Sequence, residues 1–240
     1  MFQICLAERR ICIYNHYEYV EKLCSAYRIS DTESPDLEIE IPDRAIEEEY
    51  LTGEGKFSRA YCESICIYRK ISLELLRYHT MVLHGAVISC DKKGYVFCAR
   101  SGVGKSTHIK LWQKCFSERV KIINGDKPLI SWNQKEEIFT AYGTPWCGKE
   151  GWGCPESVEL SAVCFLVRGE ENSIRRMSPE EVIRKLFHQL LVPEDEEQLS
   201  VLMDMADAFL AKLPFFELTC NISEEAARLA FETMHNVGTL

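Results

Sequence analysis

The chain has 240 residues, 46% hydrophobic and 27% charged, which is the composition of an ordinary globular protein with one sizeable core. Its formal net charge of −9 argues against a nucleic-acid partner, because no basic surplus is available to neutralise phosphates. No run of about 18 apolar residues occurs, so we expect no membrane span. The first residues carry charges at Glu8, Arg9 and Arg10, so we expect no signal peptide.

The twelve cysteines indicate packing rather than metal binding. Cys62 and Cys66 are one helical turn apart, but there is no CxxC pair and no His/Cys pair at zinc-finger spacing. We interpret the cysteines as reduced thiols that serve as small apolar residues in a reducing, cytoplasmic setting. One domain over residues 1–240 is the expected organisation.

The first 80 residues predict N-terminal strands and a helix. Alternation over residues 2–15 predicts two short strands, and residues 16–27 predict a short helix. The acidic segment that follows contains one strand candidate, Leu37–Ile41, and then loop, because proline and glycine punctuate it. Apolar residues at helical spacing over Ser58–His79 predict one long helix.

Residues 81–170 form a central part in which strands dominate. The predicted elements are strands at 81–90 and 95–99, a helix at 106–116, a strand at 120–126 that ends in Gly125–Asp126, a hairpin at 128–143 with its turn at 133–137, and a strand at 158–169. The C-terminal part, 171–240, predicts a helix capped by Ser178, a helix at 196–213, a strand at 215–221 and a last helix capped by Ser223. Strands and helices mix without strict alternation, so the fold class is α/β (α+β) with mixed sheets and flanking helices.

The segment Ser101-Gly102-Val103-Gly104-Lys105-Ser106-Thr107 stands between a predicted strand and a predicted helix. The strict phosphate-loop pattern begins with a glycine, and Ala99 occupies that position here. Glycines let backbone amides converge on phosphate oxygens, and the start of the helix adds its dipole. These seven residues therefore predict a nucleotide cradle, with Lys105 on the β- and γ-phosphates and Ser106 on Mg²⁺. The alternative is a glycine turn before an ordinary helix, with a solvated Lys105.

Two further residues predict chemistry near this cradle. Asp126 follows an apolar strand about 20 residues after Lys105, and a carboxylate there would hold the metal ion or accept a proton. The alternative for Asp126 is a turn residue after Gly125. We expect His84 in the middle of a strand, with 87–89 opposite Cys98 and Ala99. This register places it some way from the phosphates along the ladder, yet leaves open that it reaches the sheet end where Asp126 emerges. It is either functional or a hydrogen-bonded core histidine.

The stretches LHGAVIS, GYVFCARSGVGKSTHIKLW, VKIINGDKPLI and YGTPW together resemble the HPr kinase/phosphorylase family and its relatives with the phosphoenolpyruvate carboxykinase fold. They are most similar to small HPr-kinase-like proteins found beside bacterial peptide-modification genes. The resemblance covers residues from about 82 to 126 with specific motifs and thins out towards Arg168. Residues 1–80 and the last 70 contribute nothing to it.

The resemblance implies a hydroxyl kinase that uses ATP and Mg²⁺, with 81–170 as its nucleotide-binding core. It implies His84-Gly85 at the active site, a triphosphate on Ser101–Ser106, and catalytic roles for His84, Lys105 and Asp126. The family has an aspartate pair after the next strand, whereas this chain has Gly125-Asp126. The base and metal roles of the pair therefore do not both transfer, and the resemblance leaves a homo-oligomer open.

Four charged residues are candidates for contacts with the substrate. Lys127 would neutralise charge on the transferred group or lie on the surface. Lys149 and Glu150 belong to a glycine-rich loop that also contains Trp146 and Trp152. The two tryptophans would hold a peptide or an adenine ring. The alternative is a folded turn that buries one of them. Arg168 would bind phosphate or pair with a carboxylate such as Glu170.

Two functions of different classes follow from these residues. The first is an ATP-dependent kinase that acts on a serine hydroxyl in a peptide, a small protein or a free amino acid. The second is a nucleotide-binding regulator or adaptor without transfer, which Gly125 favours and His84 and Asp126 disfavour. A carboxykinase would need a longer chain and a cluster of motif residues that bind a transition metal and oxaloacetate. A nucleoside kinase would need regular strand–helix alternation after the cradle.

Overall fold

The structure, a computed structural model, describes residues 1–30, 33–100 and 102–236. Its strands are β1 (Phe2–Leu6), β2 (Arg9–Tyr14), β3 (Leu37–Glu40), β4 (Thr80–Val82), β5 (Ala86–Cys90), β6 (Lys93–Cys98), β7 (Val120–Asn124), β8 (Leu129–Asn133), β9 (Ile138–Tyr142), β10 (Ser157–Arg168), β11 (Ser173–Arg176) and β12 (Phe215–Cys220). Its α-helices are α1 (Glu18–Leu23), α2 (Asp43–Thr52), α3 (Arg59–Glu74), α4 (Lys105–Phe116), α5 (Pro179–Leu186), α6 (Glu196–Lys212) and α7 (Glu224–His235).

The N-terminal part is a three-stranded sheet in the order β1-β2-β3, in which β2 and β3 run parallel. Its inward residues, such as Ile11 and Ile13, share a buried cluster with Ile67 and Ile71 of α3. Helix α2 corrects the prediction of a loop after β3. Glutamates are good helix formers, and Ile46 is buried, so an acidic helix with a single buried apolar residue forms where charge alone indicated a loop.

The second sheet is mixed, with the strand order β4-β8-β9-β10-β6-β5-β7, and β12 and β11 continue from β10. The long strand β10 changes partner along its length. Its first residues pair with β9 in the antiparallel sense, and later residues pair in parallel with β6 and β12. The structure therefore confirms the prediction of mixed sheets with flanking helices.

Successive residues of β6 supply both faces of this sheet. Tyr95 and Phe97 pack with α4 and α7, whereas Val96 and Cys98 pack with α5 and α6. Both faces are thereby covered, which explains why the last four residues of this strand, 95–98, are all apolar or aromatic. No helix in the described ranges is both long and apolar enough to cross a bilayer. All twelve cysteines are free, and eleven are at least partly buried, in agreement with a packing role.

Several boundaries differ from the sequence predictions. The predicted strand over 81–90 is two strands, β4 and β5, which belong to different parts of the sheet and are separated by Leu83–Gly85. The short strand β11 has no counterpart in the predictions. Ser178 caps α5 as predicted, through a reciprocal pair with Glu181. Ser223 precedes α7 but makes no side-chain cap, and its hydroxyl accepts a hydrogen bond from Asn172 instead.

Strand directions determine where the functional side chains emerge. Strands β6 and β10 are parallel, and β5 is antiparallel to both β6 and β7. The ends of β6, β7 and β10 therefore lie at the same edge of the sheet as the start of β5. His84, the glycine loop after β6, Asp126 and Arg168 all leave the sheet at that edge.

Candidate functional site

The glycine loop, residues 99–104, connects β6 to α4. Gly102 and Gly104 have φ of +81° and +119°, a region that residues with side chains rarely adopt. A Cβ atom at Gly102 would meet nothing within 4 Å, so this part of the loop faces open space. Among the described residues, no side chain caps the start of α4, which leaves its first amides available to a ligand. Ser101 lies outside the described residues, so its role in the cradle stays a prediction.

Three predicted side chains meet beside this loop. The Nε2 atom of His84 lies 3.0 Å from Nζ of Lys105 and 3.2 Å from Oδ1 of Asp126. Nε2 of His84 serves one of these partners at a time: without a proton it accepts a hydrogen bond from the ammonium group of Lys105, and with a proton it donates one to Asp126. Burial lowers the pKa of Lys105, and the negative charge of Asp126 opposes that effect.

The position of His84 corrects the predicted register. Phe97 pairs with Ala86 and Val96 pairs with Val87, so the hairpin is shifted by about three residues from the predicted alignment. His84 also precedes β5 instead of lying in the middle of a strand. The shift brings the imidazole beside the glycine loop, whereas the predicted register placed it some way along the ladder.

Asp126 is held in its charged form. Burial raises the pKa of its carboxyl group, but the hydrogen bond that His84 donates when its Nε2 carries a proton, and the hydrogen bond and charge of Lys127, lower it more, so the pKa lies well below the usual range. Nζ of Lys127 is 2.5 Å from Oδ2 of Asp126. Lys127 is therefore paired with Asp126 beside the site while 47% of its side chain is exposed, and its role towards a transferred group stays a prediction.

A buried polar pair, which the sequence did not single out, shapes the turn that carries Asp126. The side-chain oxygen of Asn124 accepts hydrogen bonds from the amides of Asp126 and Lys127, each at 2.8 Å. Its side-chain nitrogen donates to Oγ1 of Thr144 at 2.9 Å. An asparagine at a strand end before glycine is a known turn signal, which could have identified it.

Gly125 is glycine because backbone fills the space beside it. A Cβ atom there would lie 2.8 Å from the carbonyl oxygen of Cys147 and 3.3 Å from that of Trp152. Its amide also donates to the Trp152 carbonyl at 2.8 Å. The loop 143–154 therefore occupies the place where a second aspartate would stand. Gly148 of the same loop lies between two carboxylates. A Cβ atom added there would be 3.7 Å from Cγ of Asp126 and 3.8 Å from Oε2 of Glu150.

Two cavities meet at the glycine loop and share Gly102, Gly104 and Thr107. The larger, of about 890 Å³, is also lined by nearly all the other predicted site residues, namely His84, Lys105, Ser106, Asp126, Lys127, Lys149 and Glu150. The sequence did not single out Arg100, which lines it too.

The smaller cavity, of about 430 Å³, includes the predicted residues Val103 and Arg168 together with Leu111 and Ile222. Arg168 donates a hydrogen bond to the carbonyl of Gly102 at 2.9 Å, so in this structure it anchors the loop instead of pairing with Glu170.

The tryptophan loop is tied to α3. The ring of Trp146 stacks on Tyr68 with centroids 4.3 Å apart, and its Nε1 donates to the carbonyl of Ser64. One face of Trp146 is therefore used by the protein, as in the alternative of a turn that buries a tryptophan. Trp152 lies under Nζ of Lys110, 4.9 Å from its ring centre, and does not line either cavity.

No protein-family model matches the chain, and no curated protein matches it. Among solved structures, the Hpr(Ser) kinase/phosphatase from Coxiella burnetii aligns with 66% of this chain and 94% of its own chain. The identity is 9% and the TM-score is 0.38. At that level neither a family nor an activity follows from the likeness.

Proposed function

We propose that the protein is an ATP-dependent kinase that transfers the γ-phosphate to the hydroxyl of a serine in a peptide, a small protein or a free amino acid. The observation that carries the proposal is the meeting of His84, Lys105 and Asp126 beside the glycine loop, with Nε2 of His84 within 3.2 Å of the other two side chains. These residues are far apart in sequence, and each is of a type that phosphoryl transfer uses.

The two cavities support an assignment for each part of the nucleotide. The glycine loop and the first amides of α4 bind the phosphates, and Lys105 turns from His84 towards the β- and γ-phosphates. The nucleoside occupies the smaller cavity, where Val103, Leu111 and Ile222 offer apolar contacts. The γ-phosphate and the acceptor then meet in the larger cavity.

Ser106 and Asp126 suit a magnesium ion. Mg²⁺ prefers oxygen ligands and takes one or two carboxylates together with phosphate oxygens. Asp126 stays ionised because its pKa is lowered, and both side chains line the larger cavity. Bound there, Mg²⁺ would neutralise charge on the phosphate oxygens. Among the described residues, no group of three or more His, Cys, Asp and Glu is arranged to hold a metal ion by itself.

Transfer needs a group that accepts the proton of the hydroxyl. The acceptor oxygen bonds to the γ-phosphorus while the bond from that phosphorus to the β–γ bridging oxygen breaks, and ADP leaves. Asp126 holds protons weakly, which favours it as the metal ligand. We assign the proton to Nε2 of His84, whose lone pair becomes free once Lys105 moves to the phosphates.

A nucleotide-binding regulator without transfer is the second candidate, and Gly125 favours it. The carbonyl oxygens of Cys147 and Trp152 leave no space for a second carboxylate at that position. A site with only one aspartate still binds a nucleotide. It transfers phosphate only if His84 or another group takes the proton.

Incubation with γ-labelled ATP, Mg²⁺ and a panel of serine peptides, small proteins and free serine separates these functions. We expect labelled product from the wild type, and a loss of about 100-fold or more in Lys105→Ala and Asp126→Asn. Lys114→Ala, an exposed lysine of the same helix, is the matched control and keeps activity.

Nucleotide affinity is measured in parallel by calorimetry. Binding of ATP without transfer to any acceptor would support the regulator. Label transfer that survives both Lys105→Ala and Asp126→Asn would refute the proposed site.

A further inference from the structure

Three partly exposed aromatic side chains from the N-terminal part of the chain form one wall of the larger cavity. Tyr19 of α1 is 41% exposed, Phe57 before α3 is 50% exposed, and Tyr61 of α3 is 37% exposed. The rings of Tyr19 and Tyr61 meet edge to face with centroids 6.2 Å apart, and those of Phe57 and Tyr61 are 5.1 Å apart. We call these three residues the aromatic wall.

The aromatic wall belongs to the same cavity as the reactive groups. Tyr19, Phe57 and Tyr61 line it together with Lys105 and Asp126. Single exposed apolar residues are normal on a protein surface, but a contiguous set inside a cleft indicates a binding site. One wall of the cavity is therefore charged and another is apolar, so a ligand that fills both combines a polar reacting group with an apolar group.

The size of the cavity restricts the ligand further. Its volume of about 890 Å³ is near the upper end of the 300–1,000 Å³ typical of pockets for drug-sized ligands. The nucleoside has the smaller cavity at its disposal, so only part of the ATP enters the larger one. The remaining space exceeds what one free serine needs and suits a segment of several residues.

We propose that the aromatic wall binds an apolar side chain adjacent to the reacting hydroxyl of a peptide acceptor and so determines which acceptor is used. This inference rests on the proposed hydroxyl transfer, in which the bond changes are those given above. Aromatic surfaces bind aromatic and branched aliphatic groups through area burial and ring contacts. An acceptor with small or charged residues beside the serine leaves the aromatic wall uncovered and binds more weakly.

The test uses three acetylated pentapeptide amides that differ only in the residues on both sides of a central serine: phenylalanine, leucine or alanine. For the wild type we expect kcat/KM about tenfold higher with the phenylalanine peptide than with the alanine peptide, with leucine between them. Phe57→Ala/Tyr61→Ala removes this preference by raising KM for the phenylalanine peptide, while KM for ATP stays unchanged. Tyr14→Ala, an equally exposed aromatic of β2 that does not line the cavity, keeps the preference.

A binding measurement keeps this inference separate from the kinase proposal. Calorimetry with each peptide in the presence of ADP reports acceptor affinity without turnover. Tighter binding of the phenylalanine peptide that disappears in the double variant supports the aromatic wall even if no peptide is phosphorylated. Equal affinity for the phenylalanine and alanine peptides, or a preference that survives in the variant, overturns it. If the double variant does not fold, Tyr19→Ala and Phe57→Ala are compared singly in the same way.

Discussion

Gly125 is the single residue at which this chain departs most from a site with paired aspartates. The carbonyl oxygens of Cys147 and Trp152 surround it, and both carry partial negative charge. An added side chain must displace loop 143–154, and a carboxylate there would also face those oxygens. With loop 143–154 in this position, the turn therefore carries one aspartate, Asp126, and has no space for a second one at residue 125.

We predict that Gly125→Ala lowers the free energy of unfolding by about 1–3 kcal/mol, because the added methyl group overpacks a tight contact. Gly125→Asp should cost more, because it adds an unpaired charge beside two carbonyl oxygens, and it should not accelerate phosphate transfer. Urea unfolding and the labelling assay measure the two effects. An aspartate variant that is as stable as the wild type and faster would contradict the packing explanation.

The residues of the site differ in how far the sequence could predict them. Gly102, Lys105 and Asp126 follow from a local motif and a strand end. The resemblance indicates His84 through the pair His84-Gly85, but the place of His84 depends on the β5–β6 hairpin register, which differs by about three residues from the predicted one. The aromatic wall gave no local signal, because its residues come from segments about 40 residues apart that only tertiary packing brings together.

Helix α4 joins the glycine loop to the core through a buried histidine. Nε2 of His108 accepts a hydrogen bond from Nε1 of Trp112 at 3.0 Å, and its Nδ1 has no partner among the described residues. Burial lowers the pKa of His108 to about 4. The ring is therefore neutral in the folded protein at neutral pH, one turn after Lys105.

We predict that acid weakens the fold through this histidine. An unfolded histidine binds a proton near pH 6.5, whereas His108 in the folded protein does so only near pH 4, so stability falls as the pH drops through this interval. The full effect is about 3 kcal/mol at most, at about 1.4 kcal/mol per pH unit. In His108→Gln the free energy of unfolding, measured by urea titration from pH 4 to 7, should depend less on pH. His188→Gln, an exposed histidine, should leave the slope as in the wild type, and equal slopes in all three proteins would disprove the assignment.

Elements with strong local signals were predictable, and elements stabilised by distant contacts were not. The hairpin β8–β9 and the capped helix α5 match the sequence predictions. The sequence predicts a loop at α2 because this segment is acidic. In the structure, ion pairs of Glu47 with Arg59 and of Glu49 with Arg69 tie the helix to α3. Strand β11 has four residues and depends on β12 for pairing.

For the protein as a whole, α3 connects the small sheet to the site. The hydroxyl of Tyr68 donates to the carbonyl of Lys127 at 2.6 Å, and its ring stacks on Trp146. Glu63, fully buried, accepts hydrogen bonds from the amides of His16 and Tyr17 and so fixes the start of α1. Helix α3 thus links the N-terminal part to the turn that carries Asp126.

These contacts lead us to expect that residues 1–236 unfold as one unit, in keeping with the prediction of a single domain. Far-ultraviolet circular dichroism and tryptophan fluorescence should give coincident urea transitions, since the tryptophans lie outside the small sheet. Two separate transitions, or release of a stable fragment ending near residue 80 on limited proteolysis, would instead establish two domains.

The two cavities that share the glycine loop have a kinetic consequence under the proposed function. Nucleotide and acceptor would enter by different mouths, so neither obstructs the other, and a ternary complex can assemble in either order. ADP could then depart while the phosphorylated acceptor is still bound. Double-reciprocal initial-rate plots for such an arrangement intersect. ADP competes chiefly with ATP, and the phosphorylated acceptor competes chiefly with the unphosphorylated acceptor.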